Sequence, residues 1–237
     1  MFLFKLKQET IIKRSRSSIG FLEVRKQNSG QTEMSIRGTV FAVDKEHFLT
    51  CYHVYKKIPE NDRQYIGISI LEPSTKKAAN YRRFPAKIVA HDQINDVALF
   101  KIENCTIPFD GLNLGDAEKL EEGNELIYTG FPLATEFVSM GLGITLASTK
   151  CIVSALKRRS ADESLDYIQI DAHTSSGSSG SPIFSLQDGK VIGIVAGNFG
   201  QQSKNVQDIR IPEMMGIICQ INYGKRLLDD NSVRYKK

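Results

Sequence analysis

Residues Gly177–Pro182 read GSSGSP and lead directly into the short apolar run 183–184. A nucleophilic serine needs an exposed hydroxyl beside backbone N–H groups that can face a developing oxyanion, and a glycine-rich loop can provide both. Runs of serine and glycine are more often plain turns. The loop therefore gains meaning only if residues elsewhere in the chain could activate one of its serines.

Two residues upstream could serve that purpose. His53 follows the apolar run 38–43, a polar turn and a second apolar run, so we expect it at the end of a strand. Asp96 opens the apolar run 97–100, where a carboxylate can be partly buried and still reach a histidine. With Ser179 as the nucleophile, the chain order is histidine, aspartate, serine, which is the order of the chymotrypsin triad.

Other nucleophile arrangements fit the sequence less well. A nucleophile elbow of the α/β-hydrolase type requires glycine where Ser181 stands and a histidine after the serine, but the last histidine is His173. A subtilisin order requires an aspartate well before the histidine, and only Asp44, in the polar turn, precedes His53. None of the four cysteines lies in a comparable glycine-rich loop, so Ser179 is the candidate nucleophile.

These motifs together resemble those of trypsin-like serine proteases with the chymotrypsin fold, and in particular the HtrA/Deg type. The resemblance covers about residues 17–228. These ordered motifs are specific together, although each alone is not. The matching segments are Gly38–Val43 with Leu49–Val54 (histidine motif), Asn95–Lys101 (aspartate motif), Cys151–Leu156, Gln169–Ala172 with Gly177–Pro182 (serine motif), and Val191–Val195.

The sequence departs from the family pattern at three motif positions. Ser178 stands where the family usually has asparagine or aspartate, Ser181 replaces a glycine, and Cys151 replaces the glycine before Ile-Val-Ser. Because Ser178 cannot supply the charge partner of a new amino terminus, we expect no zymogen cleavage of the trypsin type. The oxyanion loop is then either pre-formed or ordered by a regulatory partner protein. No residues after 237 could form the PDZ domain of HtrA proteins, so we expect a protease domain without one.

The distribution of apolar residues predicts an all-β protein. Short apolar runs separated by glycines recur along the chain, a pattern typical of a β-barrel or a β-sandwich. The resemblance implies two antiparallel Greek-key β-barrels and a short C-terminal helix, for which 223–228 is the best segment. The expected division is 1–16 (amino-terminal extension), 17–117 (barrel with the histidine and aspartate), 118–228 (barrel with the serine) and 229–237 (basic tail).

Composition and cysteine usage bound the function classes. The 237 residues carry a formal net charge of +4 in dispersed basic pairs, whereas nucleic-acid binding usually needs a contiguous basic face, so we expect no nucleic-acid partner. The start of the chain lacks the apolar core of a secretion signal, and no run is long enough to span a membrane. Dispersed cysteines favour free thiols over disulfides or a zinc site. These features predict a cytoplasmic protein that needs no metal or other cofactor.

The resemblance implies a serine endopeptidase that cleaves protein or peptide substrates through an acyl-enzyme intermediate. His53 would be the general base, Asp96 would orient it, and Ser179 would attack the scissile carbonyl. Gly177, Ser178 and Ser179 would form the oxyanion hole. The alternative is a non-catalytic relative that binds peptides or partner proteins in the same groove, but such a module has no need of all three triad residues.

The resemblance also implies where the substrate side chain before the scissile bond would bind. No aspartate stands where a trypsin-like preference for basic side chains would need one, so such substrates are disfavoured. The implied substrate-binding residues are His173, Thr174, Ala196, Gly197 and Asn198.

Overall fold

Short strands rich in β-branched and aromatic residues make up most of the chain, as such residues favour pleated, half-buried surfaces. The computed structural model describes residues 2–28, 30–72, 79–198 and 215–237. The strands are β1 Ile19–Asn28, β2 Gln31–Ala42, β3 His47–Thr50, β4 Ile66–Leu71, β5 Tyr81–Asp92, β6 Val97–Ile102, β7 Glu125–Gly130, β8 Ala147–Arg158, β9 Leu165–Ile170, β10 Pro182–Ser185, β11 Val191–Asn198 and β12 Gly216–Gln220. The helices are α1 Phe2–Ser15, α2 Tyr52–Lys56, α3 Ala134–Ser139 and α4 Ile221–Asp230.

The strands close into two antiparallel barrels. The first has the order β1-β2-β3-β6-β5-β4, and the second has the order β7-β8-β9-β12-β11-β10. The two orders are identical when each barrel is counted from its first strand, so the chain uses one topology twice. The predicted all-β fold of two antiparallel barrels is confirmed.

The barrels meet through aromatic side chains. Phe131, which directly follows β7, packs edge-to-face against Phe21 of β1 with ring centroids 5.1 Å apart. Tyr81 of β5 contacts the same ring of Phe131 at 5.6 Å. Both phenylalanine side chains are buried, and burial of this kind is the main favourable term in joining two such units.

The helices were only partly foreseen. The predicted C-terminal helix is confirmed as α4, which includes the expected segment 223–228. The sequence did not predict α1, because its apolar residues do not gather on one face. Ile11 of α1 is nevertheless buried and lies against Gly189 in the turn between β10 and β11. No described helix is both long and apolar enough to cross a membrane. The proposed domain boundary at 117/118 stays a prediction; it falls between β6 and β7.

Candidate active site

His53 and Asp96 are brought together by the pairing of β3 with β6. Thr50 pairs with Ala98, so the residues after β3 lie beside those before β6. His53 is in α2, the short helix after β3, and not at the end of the strand as predicted. Its backbone N–H donates to Asp96 Oδ1 at 2.7 Å, and its ring Nδ1 lies 2.7 Å from Asp96 Oδ2. The carboxylate thus holds both the backbone and the ring of one histidine.

Asp96 occupies an unusual backbone conformation. Its φ angle is 54°, in the left-handed region that aspartate and asparagine tolerate better than most residues. The Tyr52 N–H donates to its carbonyl oxygen at 3.1 Å, which helps to fix this turn. The His53 and Asp96 side chains remain 27% and 30% exposed, so the pair is shielded but still open to the cleft.

Ser179 reaches the same histidine from the second barrel. Its Oγ lies 3.0 Å from His53 Nε2, within the range needed for direct proton transfer. Gly180 adopts a φ of 89°, and a side chain there would collide with the Thr39 carbonyl oxygen. The Gly180 N–H donates to Val195 O at 2.8 Å, which ties the serine loop to β11.

Thr39 of β2 connects the first barrel to the serine loop through its hydroxyl and its backbone N–H. Its Oγ1 donates to Gly177 O at 2.8 Å and accepts from the Phe131 N–H at 3.1 Å. Its N–H donates to Ser179 O at 2.8 Å, and its carbonyl accepts from Thr50 Oγ1 at 2.7 Å. Sequence reasoning treated Thr39 only as part of an apolar run; a lone hydroxyl in that run was the available signal.

Two backbone N–H groups are positioned beside the serine. Among the described residues, no acceptor pairs with the N–H groups of Gly177 and Ser179. The Ser178 N–H, by contrast, donates to Ser175 O at 3.0 Å, so this member of the predicted oxyanion hole has its donor already occupied. The Leu133 N–H donates to Ser176 O at 2.7 Å. Since the C=O and N–H of a trans peptide point in opposite directions, this bond holds the Gly177 N–H away from Leu133.

Cys51 lies directly behind the histidine–aspartate pair. Its thiol donates to Val195 O at 3.1 Å, and its sulfur falls within 4.8 Å of ligand atoms of His53 and Asp96. Complete burial, and then the nearby charge of Asp96, raise the pKa of this thiol well above its ordinary value. A metal ion would need the thiolate and would have to displace the bond between histidine and aspartate. The three groups therefore suit a hydrogen-bonded site better than a metal centre.

The predicted substrate-binding residues lie on two segments beside the serine loop. His173 is exposed and its carbonyl accepts from Tyr128 OH at 2.7 Å, whereas Thr174 is buried. Ala196 is the extra residue of a bulge between β11 and β12, and Gly197 follows it with a φ of 136°. The side chain of Asn198 falls outside the described part of the structure. That these residues form a pocket stays a prediction.

Comparison with known families agrees with this arrangement. The family model described as "Trypsin-like peptidase domain" matches residues 38–194, which include His53, Asp96 and Ser179. The chain belongs to the trypsin-like peptidase family. The crystal structure of Deg5 superposes with a TM-score of 0.66 and 21% sequence identity, and the match covers 94% of this chain and 92% of Deg5. At that identity the likeness shows the chymotrypsin-like fold.

Curated relatives of this trypsin-like peptidase confirm the predicted resemblance to the HtrA/Deg type. The probable periplasmic serine endoprotease DegP-like of Hahella chejuensis is 30% identical over 167 residues, 70% of this chain and 30% of the relative. Its counterpart in Marinomonas sp. is 34% identical over 113 residues, which cover 48% of this chain and 22% of the relative. The mitochondrial serine protease HTRA2 of Drosophila willistoni is 28% identical over 211 residues, which cover 88% of this chain and 42% of the relative. The chain thus spans between about a fifth and two fifths of the length of these relatives.

The cytoplasmic location predicted from the sequence is wrong on this comparison. The DegP-like relatives from Marinomonas, Pseudomonas putida and Hahella are all named periplasmic. The prediction rested on the absence of an apolar targeting core near residue 1 and on unpaired cysteines. Both observations are absences, of an apolar core and of paired cysteines, and an absence does not identify the compartment in which the peptidase domain works.

Proposed function

We propose that this trypsin-like peptidase is a serine endopeptidase that hydrolyses peptide bonds of protein substrates. The observation that carries the proposal is the chain of two short contacts, Asp96 to His53 Nδ1 at 2.7 Å and His53 Nε2 to Ser179 Oγ at 3.0 Å. A histidine held between a carboxylate and a hydroxyl can activate that hydroxyl. The family and the HtrA/Deg relatives support the same chemistry.

In the proposed reaction Ser179 Oγ forms a bond to the scissile carbonyl carbon as its proton moves to His53 Nε2. The carbonyl oxygen becomes an oxyanion that accepts from the N–H groups of Gly177 and Ser179. The C–N bond then breaks as His53 gives its proton to the departing amine, which leaves an acyl-enzyme. Water, deprotonated by the same histidine, attacks the ester and releases the acid. Asp96 keeps the ring oriented and stabilises its charged form throughout.

The substrate side chain before the scissile bond is proposed to lie between residues 173–174 and 196–198. The small Ala196 and Gly197 leave space on one wall, and no carboxylate is available in this set to pair with lysine or arginine. We therefore expect cleavage after uncharged side chains to exceed cleavage after basic ones. Profiling of cut sites in a denatured proteome tests this, and a predominance of lysine or arginine before the cut would contradict it.

Replacement of the nucleophile tests the proposed function. Ser179→Ala removes the attacking hydroxyl, so we expect loss of fluorophosphonate labelling and a fall in casein cleavage of about a millionfold. Ser176→Ala is the matched control, because Ser176 is an exposed serine of the same loop and keeps its carbonyl. Equal cleavage by Ser179→Ala and wild type would refute the assignment. Peptide binding by a wild-type protein that neither labels nor cleaves would instead identify a non-catalytic binding module.

A further inference from the structure

Arg37 is the extra residue of a β-bulge at the edge of the active site. In the pairing of β1 with β2, Leu22 lies opposite Gly38 and Glu23 lies opposite Ile36, so Arg37 has no partner across the ladder. A bulge of this kind bends its strand and re-aims the extra side chain, and bulges are over-represented beside active sites. The side chain of Arg37 therefore does not follow the alternation of inward-facing and outward-facing side chains along β2.

The bulge lies against the proposed nucleophile. A Cβ on Gly38, the next residue, would lie 2.8 Å from Ser179 O and 2.9 Å from the Val54 side chain. On the other side of the bulge, Ile36 O accepts from Thr135 Oγ1 of α3 at 3.2 Å. Arg37 is thus held between α3 and the serine, on the wall of the cleft that the first barrel supplies.

The guanidinium of Arg37 lacks a partner for its inner nitrogen. Its Nε is buried, and none of the described residues offers it a hydrogen-bond acceptor. Arg83 Nε also lacks a hydrogen bond but has the Glu23 carboxylate at 3.4 Å as a counter-charge. A buried donor without an acceptor costs folding free energy. A guanidinium remains charged, and its planar donors can bind a carboxylate through two hydrogen bonds. The part of the chain that the structure describes thus leaves the Arg37 guanidinium without a carboxylate partner.

The position of Arg37 decides which part of a substrate would meet it. The proposed pocket for the side chain before the scissile bond lies on the second barrel, at 173–174 and 196–198. Arg37 belongs to β2 of the first barrel, and the next residue, Gly38, packs against Ser179 O. On the basis of the proposed function, we propose that Arg37 binds an acidic side chain on the leaving-group side of the scissile bond and so makes this peptidase prefer substrates with aspartate or glutamate there.

Cut-site profiling on a denatured proteome tests this selectivity. For wild type we expect aspartate and glutamate to be enriched at one of the first three positions after the cut. On peptides matched to a preferred site, we expect kcat/KM for the glutamate peptide to exceed that for the glutamine peptide by about tenfold. In Arg37→Gln the ratio should fall to about one, and in Arg37→Glu it should invert. High salt should reduce the wild-type ratio, because ions screen exposed charges.

Controls separate this proposal from a change in net charge or folding. Lys87→Gln removes the same charge from an 82% exposed lysine of β5 and should keep the wild-type ratio. Because each ratio compares two peptides with one protein, a partly unfolded variant still reports it. A wild-type protein without acidic preference, or an Arg37→Gln protein that keeps it, would overturn the proposal.

A separate measurement keeps the inference independent of catalysis. If wild type neither labels nor cleaves, the proposed function fails. Anisotropy of fluorescein-labelled peptides that differ only by glutamate or glutamine then decides the role of Arg37, using Ser179→Ala protein with and without Arg37→Gln. Tighter binding of the glutamate peptide that depends on Arg37 supports the site, and equal binding of both peptides by Ser179→Ala excludes it.

Discussion

At the scale of single residues, Thr39 shows how one hydroxyl can set the geometry of a loop from another barrel. Its Oγ1 bonds with Gly177 O and the Phe131 N–H, and its N–H bonds with Ser179 O. None of these atoms is a reacting group in the proposed mechanism. Thr39 is therefore a positioning residue, which acts by fixing the peptide units beside the nucleophile.

Replacing Thr39 with its isostere separates this role from packing. Thr39→Val keeps the shape but leaves the buried Gly177 carbonyl and Phe131 N–H without their partner, so we expect kcat to fall between about tenfold and a hundredfold with little change in KM. Thr39→Ser restores the hydroxyl and should recover most of the rate. Steady-state kinetics on one peptide measure both values. A loss of kcat in Thr39→Ser as large as that in Thr39→Val would contradict this role, because the hydroxyl alone would then not restore the rate.

At the scale of the elements, β1 carries a buried charge into the wall of the first barrel. The Glu23 side chain is fully buried and accepts from Ser69 Oγ at 2.9 Å and from Arg25 Nη2 at 3.1 Å. Arg83 of β5 lies 3.4 Å away and adds a second positive charge. A buried carboxylate is tolerated only with such partners, so this cluster links β1, β4 and β5.

Removal of this carboxylate should destabilise the barrel. Glu23→Ala leaves Ser69 without its acceptor and Arg83 without its counter-charge, so we expect the free energy of unfolding to fall by about 3 kcal/mol in urea denaturation. Glu103→Ala is the matched control, since it breaks an exposed pair with Lys87 and should cost at most about 0.5 kcal/mol. Similar decreases in the free energy of unfolding of both variants would mean that burial of the Glu23 carboxylate adds nothing to stability.

At the scale of the whole molecule, the proposed site exists only because the two barrels are joined. His53 and Asp96 come from the first barrel and Ser179 from the second, and the aromatic contacts of Phe131 hold the halves together. The four cysteines are all unbridged, so packing rather than covalent links maintains this arrangement. Their environments provide a test of how tightly the native molecule is packed.

Thiol reactivity should distinguish one cysteine from the other three. Burial raises the pKa of Cys151 to about 12 and that of Cys51 and Cys219 well above the ordinary value, so these thiols stay protonated and shielded at neutral pH. Cys105 is only half-buried, although burial also raises its pKa. We expect a disulfide reagent to modify Cys105 first in native protein and all four in urea. A fast native reaction that persists in Cys105→Ser would contradict this packing.

The sequence predicted the all-β class from local patterns, whereas the two barrels and the roles proposed for His53, Asp96 and Ser179 came from the resemblance of its motifs to a known family. Apolar runs mark the strands, and glycines mark the loop around Ser179. It did not predict α1, whose apolar residues lack a common face, or the role of Thr39, whose partners are distant in the chain. It also could not tell that the Ser178 N–H bonds within its own loop. Each of these depends on tertiary contacts that no local pattern encodes.

The left-handed turn at Asp96 has a consequence for anyone who dissects this site by substitution. Alanine at that position would face a steric penalty of about 1–2 kcal/mol in its main chain in addition to losing the carboxylate, so any defect would have two causes. Asparagine accepts the same φ and changes only charge and hydrogen-bonding character. Alanine scanning, the usual first survey of such a cleft, would therefore overstate what the negative charge of Asp96 does.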